Sequence, residues 1–255
     1  MLAMLSPAKT LDYKSPVPDL PLTLPGFLPQ TKVLVDILRE FSPQKIASLM
    51  GISDKLAALN MARYAEWSPH FTDQNSRAAI LAFMGDVYEG MQAATFTADD
   101  YAWAQQHLRI LSGLYGLLRP LDRLQPYRLE MGTALANSAG KNLYAFWGDT
   151  IATALNKALV EQGDNVLINL ASDEYSKAAL TKVLNARVIT PQFREKKDGQ
   201  FKMVSFYAKR ARGLMAAFMI KNRLDKPEVL KDFCAEGYVF NGGLSNSDRW
   251  VFTRV

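Results

Sequence analysis

The sequence contains few of the residues that build disulfides and metal centres. It has a single cysteine, Cys234, and only two histidines, His70 and His107, which lie far apart in the chain. A disulfide framework and a thiolate-held zinc or iron–sulfur site are therefore excluded, and a histidine-rich iron site is not expected. We predict no metal and no cofactor, and a single cysteine is typical of a protein from a reducing compartment.

Long apolar segments and the common nucleotide-binding loops are also missing. No run of 18 or more apolar residues exists, which excludes a membrane span and a membrane partner. The first ten residues are too short and uncharged for a secretory signal, so we expect a cytoplasmic protein. Neither a Walker loop nor a GxGxxG fingerprint is present, so the sequence predicts neither of these phosphate-binding loops.

Positive charge is concentrated late in the chain. Between Phe193 and Lys226 there are ten Lys or Arg residues against three acids, a net charge of +7, so the remainder carries −2 of the total of +5. Such a patch can attract a polyanion such as a nucleic acid. A solvated basic surface that keeps the protein soluble is an equally valid interpretation.

The apolar pattern predicts a single α+β domain over residues 1–255, a compact mixed β-sheet surrounded by helices. Helical spacing is found in Gln30–Arg39, Ile46–Tyr64, Thr97–Leu118, Phe146–Gln162 and Phe206–Arg223. Strand-like segments are Leu2–Leu5, Val166–Leu170, Ala186–Thr190, Phe201–Phe206, Gly237–Phe240 and Trp250–Thr253. We expect the first strand to pair with the late strands, and Asp198-Gly199 to turn a hairpin. The strands are too scattered to predict a regular alternating α/β fold.

One interrupted helical region, at about residues 44–64, has the layout of a helix-hairpin-helix element. A Gly51-Ile52-Ser53 step separates two apolar helical faces and is followed by Lys55. A glycine lets the backbone approach a phosphate, and the free N–H groups of the next helix point at it. In the simpler alternative, Gly51 ends one helix and Ser53 caps the next.

The predicted helix Phe206–Arg223 carries an unusual polar face. Its apolar residues form one arc, whereas the opposite arc has five cations and no acid: Lys209, Arg210, Arg212, Lys221 and Arg223. Neighbouring cations repel one another, so a compensating anion is expected. That anion could be a nucleic-acid backbone, a small phosphorylated ligand or carboxylates from elsewhere in the protein.

Two polar clusters and one lysine are candidates for a catalytic or ligand-binding pocket. The first cluster, within residues 109–132, includes Arg119, Arg128 and Glu130, and the second, within residues 166–177, includes Asn169, Ser172 and Tyr175. Lys9 follows the first predicted strand. An Arg beside a Glu can act as an anion clamp with a general base, or as a mere buried ion pair. Ser172 likewise suits a ligand crevice after a strand or an ordinary helix cap.

Taken together, these motifs resemble those of the bacterial peroxide-stress protein YaaA family along essentially the whole chain. The blocks that carry the resemblance occur in order: SPAKTLD (6–12), ISDKLA (52–57), GDVYEG (85–90), QQHLRILSGLYGLLRPLDRLQPYRLEMG (105–132), FWGD (146–149), NLASDEY (169–175) and FYAKRARGLM (206–215). Several blocks are long, which makes chance agreement negligible.

The resemblance implies a compact α+β fold with a basic cleft and a DNA-binding helix-hairpin-helix element. It also implies a cytosolic role that limits free iron and oxidative DNA damage during peroxide stress. DNA, duplex or distorted and read with little sequence preference, would be the partner. The hairpin maps onto Gly51, Ile52, Ser53 and Lys55, and the basic helix onto Lys209, Arg210 and Arg212. Whether the protein is an enzyme stays open: the alternative is an activity on a nucleotide or nucleobase-like substrate, with Arg128 and Glu130 in the active site.

Overall fold

The computed structural model describes all 255 residues. The α-helices are α1 (Leu28–Arg39), α2 (Pro43–Met50), α3 (Asp54–Glu66), α4 (Ala79–Ala82), α5 (Asp86–Met91), α6 (Ala98–His107), α7 (Leu143–Trp147), α8 (Thr150–Glu161), α9 (Asp173–Ala179) and α10 (Ser205–Lys221). The strands are β1 (Leu2–Leu5), β2 (Thr10–Leu11), β3 (Arg77–Ala78), β4 (Phe83–Met84), β5 (Leu108–Ser112), β6 (Gly116–Leu118), β7 (Arg123–Leu124), β8 (Val166–Leu170), β9 (Arg187–Lys197), β10 (Gln200–Lys202), β11 (Val239–Phe240) and β12 (Arg249–Arg254). Short 3₁₀ turns complete the chain, and no helix has the length and apolar character needed to cross a membrane.

One mixed sheet forms the centre of the molecule, in the order β11-β12-β9-β8-β1-β5-β6, with β10 paired to β9. The pairs within β12-β9-β8-β1-β5 are parallel, whereas β11 and β6 join the two ends antiparallel. The prediction of a compact domain with a mixed sheet among helices is confirmed. So is the pairing of the first strand with late strands, because β1 lies beside β8.

The parallel centre of the sheet was not predicted, and the prediction was wrong for β5, which was expected to be part of a helix. Residues Thr97–Leu118 were expected to form one helix, but α6 ends at His107 and the chain continues as β5 and β6. All five residues of β5 are buried. A continuous apolar run has no alternation, so periodicity alone does not separate a buried strand from a helix. The predicted strand Phe201–Phe206 is also shorter than expected, since α10 already begins at Ser205.

Helices α5 and α10 approach each other at backbone distance. A Cβ added at Gly213 of α10 would lie 1.7 Å from the carbonyl oxygen of Val87, and one added at Gly90 of α5 would lie 2.2 Å from that of Arg210. No other residue type fits at either position without moving a helix. The two glycines thereby allow the basic helix α10 to pack directly on α5. Helix α5 begins immediately after Gly85, the first glycine of the GDVYEG motif.

We predict that Gly213→Ala lowers the free energy of unfolding by about 2 kcal/mol or more, because the added methyl group overpacks a backbone contact. Urea denaturation checks this. Gly26→Ala is the matched control, since nothing lies within 4 Å of its added Cβ, and it should change stability little. Equal stabilities of the two variants would contradict the proposed close contact.

His107, at the end of α6, links that helix to the first residue of the sheet. Its Nδ1 lies 3.0 Å from the carbonyl oxygen of Met1, and its ring stacks on Trp103 with centroids 4.1 Å apart. Burial lowers the pKa of His107 below its ordinary 6.5, and the Met1 carbonyl opposes this only in part. The nearby charges are the α-amino group, Arg109 and Asp164.

We predict that stability falls as the pH drops below 6.5. Protonation of His107 is less favourable in the folded state than in the unfolded state. The contribution of the neutral imidazole to the free energy of unfolding is therefore complete above pH 6.5 and is lost on acidification. His107→Gln should therefore weaken the change in the free energy of unfolding between pH 7.5 and 5.5. The exposed His70, changed to Gln, serves as the control and should leave that pH dependence intact.

Candidate functional site

A pocket of about 290 Å³ opens at the carboxyl ends of the neighbouring parallel strands β1 and β8. Ligand crevices of open parallel sheets are found at this kind of edge. The loop Ser6–Thr10 leaves β1, and Ser172–Tyr175 leaves β8 into α9. Helices α5 and α10 close the opposite side. Six residues singled out in the sequence line this pocket: Lys9, Glu130, Ser172, Tyr175, Lys209 and Arg212.

Hydrogen bonds lock the two loops together. The Ser6 hydroxyl accepts a hydrogen bond from the Ser172 backbone N–H at 2.9 Å, and the two hydroxyl oxygens lie 3.2 Å apart. Tyr88 of α5 donates its hydroxyl to the Ser6 carbonyl at 3.0 Å. Ser6 therefore binds the backbone N–H of Ser172, the residue before α9, whose own side chain makes no capping hydrogen bond. These contacts hold the floor of the pocket in one conformation.

Glu130 lies between two cations. Its carboxylate is 2.7 Å from the Lys9 ammonium and 3.1 Å from the Arg128 guanidinium, and about a fifth of its side chain is exposed. Arg128 borders a small adjoining cavity, and its buried Nε has no hydrogen-bond partner. The Arg128 carbonyl accepts a hydrogen bond from Tyr64, which ties this segment to α3. The arrangement orients Glu130 at the pocket wall.

Tyr175 brings a buried phenol to the same wall. Burial raises the pKa of Tyr175 far above its ordinary value, and the nearby carboxylates of Glu174 and Glu130 raise it further. The phenol therefore stays protonated near neutral pH and can donate a hydrogen bond to a ligand. Glu174 itself accepts a hydrogen bond from the Gly132 backbone N–H at 2.8 Å.

Two cations from α10 enter the pocket without a counter-charge. Neither Lys209 nor Arg212 has a carboxylate within 4.0 Å, although both line the cavity. Burial lowers the pKa of the Arg212 guanidinium, and the more distant Asp173 acts in the opposite direction. Three acids also line the pocket, Asp86, Glu130 and Glu174, so its charges balance overall, and Asp86 of α5 is unpaired like the two cations on the α10 side. This side of the pocket suits an anion.

The remaining cations of α10 are compensated by carboxylates or lie elsewhere. Arg210 lies 2.7 Å from Glu236, and Arg223, just beyond the helix, lies 2.6 Å from Asp100. Lys221 contacts the Thr95 hydroxyl at 3.4 Å and lies over the Phe96 ring. Internal carboxylates, one of the three alternatives that the sequence left open, thus account for two of the five cations.

Three of the predicted pocket residues do not line the pocket: Arg128 borders the adjoining cavity, and Asn169 and Arg119 lie elsewhere. Asn169 is buried on β8, where its side-chain oxygen accepts a hydrogen bond from the Ala171 N–H at 3.1 Å and shapes the turn. Arg119 lines a separate open groove of about 850 Å³ beside α8 and pairs with Asp122 at 3.1 Å. The structure therefore does not bring Arg119 together with Glu130, because β6 directs it to the far edge of the sheet.

The segment around Gly51 forms two helices joined by a tight, exposed turn. Gly51 ends α2 in the left-handed conformation (φ 60°, ψ 45°), and the Ser53 hydroxyl accepts a hydrogen bond from the Leu56 N–H at the start of α3. Ser53 and Lys55 are exposed, and Ile52 is half-buried. Helix α2 packs on α3, which in turn packs on α1, whereas α10 packs on α5 and α6. Gly51 and Ser53 thus have the cap conformations of the simpler alternative; DNA contact stays a prediction.

Four polar residues of the pocket were not among the predicted site residues: Ser6, Thr10, Asp86 and Glu174. Ser6 directly follows the first predicted strand, and the sheet edge at which that strand ends is where a ligand site is expected. Asp86 belongs to the GDVYEG block, which resembled no known phosphate cradle. Only the packing of α5 against α10 brings it to the site.

The model of the family described as H2O2_YaaD, peroxide stress protein YaaA, matches residues 1–243. This chain belongs to that family. Membership agrees with the resemblance of its motifs and supports a role in the response to hydrogen peroxide and oxidative stress.

We predict that Glu130→Gln lowers the free energy of unfolding by about 1–2 kcal/mol, because it leaves the mostly buried Arg128 guanidinium without a counter-charge. Glu161→Gln makes the same change in an exposed pair with Lys157, 3.8 Å apart, and should cost less than about 0.5 kcal/mol. Denaturant titration of both variants checks the difference. Identical losses would show that the Glu130 cluster does not stabilise the fold.

Proposed function

We propose that this YaaA-family protein binds DNA in the cytoplasm during peroxide stress, mainly through backbone phosphates. The observation that carries this proposal is the pair of uncompensated cations, Lys209 and Arg212, at a pocket mouth on α10. A phosphate is the anion that a guanidinium and an ammonium together hold well. Glu130 is already held by Lys9 and Arg128, so the two cations on α10 are the principal contacts proposed for a phosphate.

The exposed turn at Gly51 is the second proposed contact. Its glycine leaves open space above the backbone, and Lys55 in the first turn of α3 adds charge. The N–H groups of a helix start attract phosphate without reading bases, so this contact positions the DNA. Lys221 adds a weaker contact. Arg210 and Arg223 contribute less, since each is held by a carboxylate.

Binding of this kind has little sequence preference and depends strongly on salt. DNA covered by the protein is less accessible to oxidants, which fits the family's role in peroxide stress. For the limitation of free iron, family membership is the only support.

The test compares two double variants that remove the same charge from the same helix region. Lys209→Gln/Arg212→Gln should reduce affinity for a duplex at least about tenfold and lower the slope of log K against log salt by roughly two units. Arg210→Gln/Arg223→Gln, the matched control, should reduce the slope by clearly less, since these cations already have partners. The proposal fails if the two double variants bind DNA equally, as measured by fluorescence anisotropy across a salt series.

A second candidate function is an enzyme acting on a nucleotide or nucleobase-like substrate in the same pocket. The convergence of Lys9, Glu130, Ser172 and Tyr175 favours it, because phosphate contacts alone do not require these groups. Lys209 and Arg212 would hold the phosphate. Glu130 would act as general base, with Lys9 and Arg128 orienting it, and the protonated Tyr175 would donate to the substrate.

Glu130→Gln separates the two functions. If the pocket is catalytic, this variant abolishes protection of peroxide-stressed cells, because an amide does not accept a proton, while DNA affinity stays within about twofold of the original. Protection is measured as survival of cells that carry only the variant, with Glu161→Gln as control. Full protection by a folded Glu130→Gln protein would contradict the catalytic role.

A further inference from the structure

A group of exposed apolar side chains lies where β10 leads into α10. Met203, Phe206 and Tyr207 are 65%, 53% and 42% exposed, although the other apolar residues of α10 are at least half-buried. The sequence pattern had placed Tyr207 on the buried arc of the helix. Three large apolar side chains in one short exposed stretch form a surface on which a flat apolar group can rest.

Within this group, the Phe206 ring is the one that is open to a ligand. Its centroid lies 5.5 Å from that of Tyr207, and the two rings meet edge to face at 71°. Tyr207 is held in turn by the Arg254 guanidinium, 4.8 Å from its ring centroid. No cation or further ring covers Phe206. Tyr207 and Arg254 thus support Phe206 from one side and leave the rest of its ring open.

Cations surround these side chains. Four exposed lysines lie on the β9–β10 hairpin and the first turns of α10, none of them within 4.0 Å of a carboxylate: Lys196, Lys197, Lys202 and Lys209. Glu195 is occupied by Arg254 at 2.7 Å and by the Tyr238 hydroxyl, and Asp198 at the hairpin turn is the remaining acid of the hairpin. Lys202 and Lys209 thus flank Phe206 along the chain, and Lys196 and Lys197 continue the positive charge towards the tip of the hairpin.

Phe206 is also adjacent to the candidate pocket. Residues three apart on a helix are neighbours, so Phe206 lies one turn before Lys209, which lines the pocket. A phosphate held by Lys209 and Arg212 would place the neighbouring nucleotide of a strand near Phe206. In paired DNA the base faces are covered by adjacent bases, so only an unpaired base can stack there.

We propose that Phe206, supported by Tyr207, is a stacking platform for an unpaired base of DNA, with flanking phosphates on the surrounding lysines. Aromatic rings interleaved with cations are the usual means of holding single strands. This inference rests on the proposed DNA binding and extends it: the preferred ligand has single-stranded or locally unpaired nucleotides.

The experiment measures binding of a labelled oligothymidine and of a duplex of equal length to the full protein. Phe206→Ala should weaken oligothymidine binding roughly 5- to 100-fold, the range for loss of one stacked base, and change duplex binding less than about twofold. The salt slope should stay unchanged, because no charge is removed. Phe206→Trp should restore affinity, and its added fluorescence should be quenched by the oligonucleotide. Val160→Ala, at an apolar site on α8 that is even more exposed (78%), is the control and should have no effect.

The outcomes keep this inference separate from the proposed function. Equal losses for both ligands, or no loss in Phe206→Ala, would overturn the stacking platform while leaving duplex binding by Lys209 and Arg212 in place. If the original protein binds anionic phospholipid vesicles but neither the oligothymidine nor the duplex, both the stacking platform and the proposed DNA binding are overturned. The exposed apolar group would then be assigned to a membrane surface. Selective loss of oligothymidine binding supports the platform.

Discussion

The close backbone packing of α5 on α10, at Gly90 against Arg210 and at Gly213 against Val87, is the constraint on which the candidate site depends. Because neither residue has a side chain, the two helices meet through their backbones, and α10 is held directly beside the carboxyl ends of β1 and β8. Any larger residue would push α10 outwards. Lys209 and Arg212 would then move away from the loops that carry Lys9 and Ser172. The pocket is therefore a product of helix packing as much as of the sheet.

Charge pairing decides which of the many cations are available to a ligand. The late segment Phe193–Lys226 is strongly basic, yet carboxylates that lie outside it, Glu236 and Asp100, pair with Arg210 and Arg223. Lys209 and Arg212 have no such partner, and the lysines of the β9–β10 hairpin extend the same uncompensated charge towards Phe206. A DNA strand and a nucleotide substrate would use the same two cations first. They differ in whether Glu130 and Tyr175 take part.

Much of the fold was predictable where local pattern and tertiary environment agree. Strands β1 and β8 were predicted with their observed bounds, and Asp198-Gly199 turns the expected hairpin, because short-range chemistry suffices there. The prediction failed for β5, because all of its residues are buried and its sequence lacks the alternation of apolar and polar residues that indicates a strand. For the site, the polar clusters containing Glu130 and Tyr175 were recognisable as candidates. Arg119 was wrongly grouped with them. It follows the edge strand β6, which places it away from Glu130 although the two residues are close in sequence.

The sequence by itself determined the family, the excess of positive charge and the absence of a thiolate metal site, because these depend only on which residues are present and in what order. Only the tertiary structure decided which cations are free, which side chains share a pocket and that Phe206 is exposed. The physical reason is that pairing and burial are set by groups distant in the chain. Asp100 reaches Arg223 and Ser6 reaches Ser172 only after the sheet has formed, and no local pattern encodes those partners.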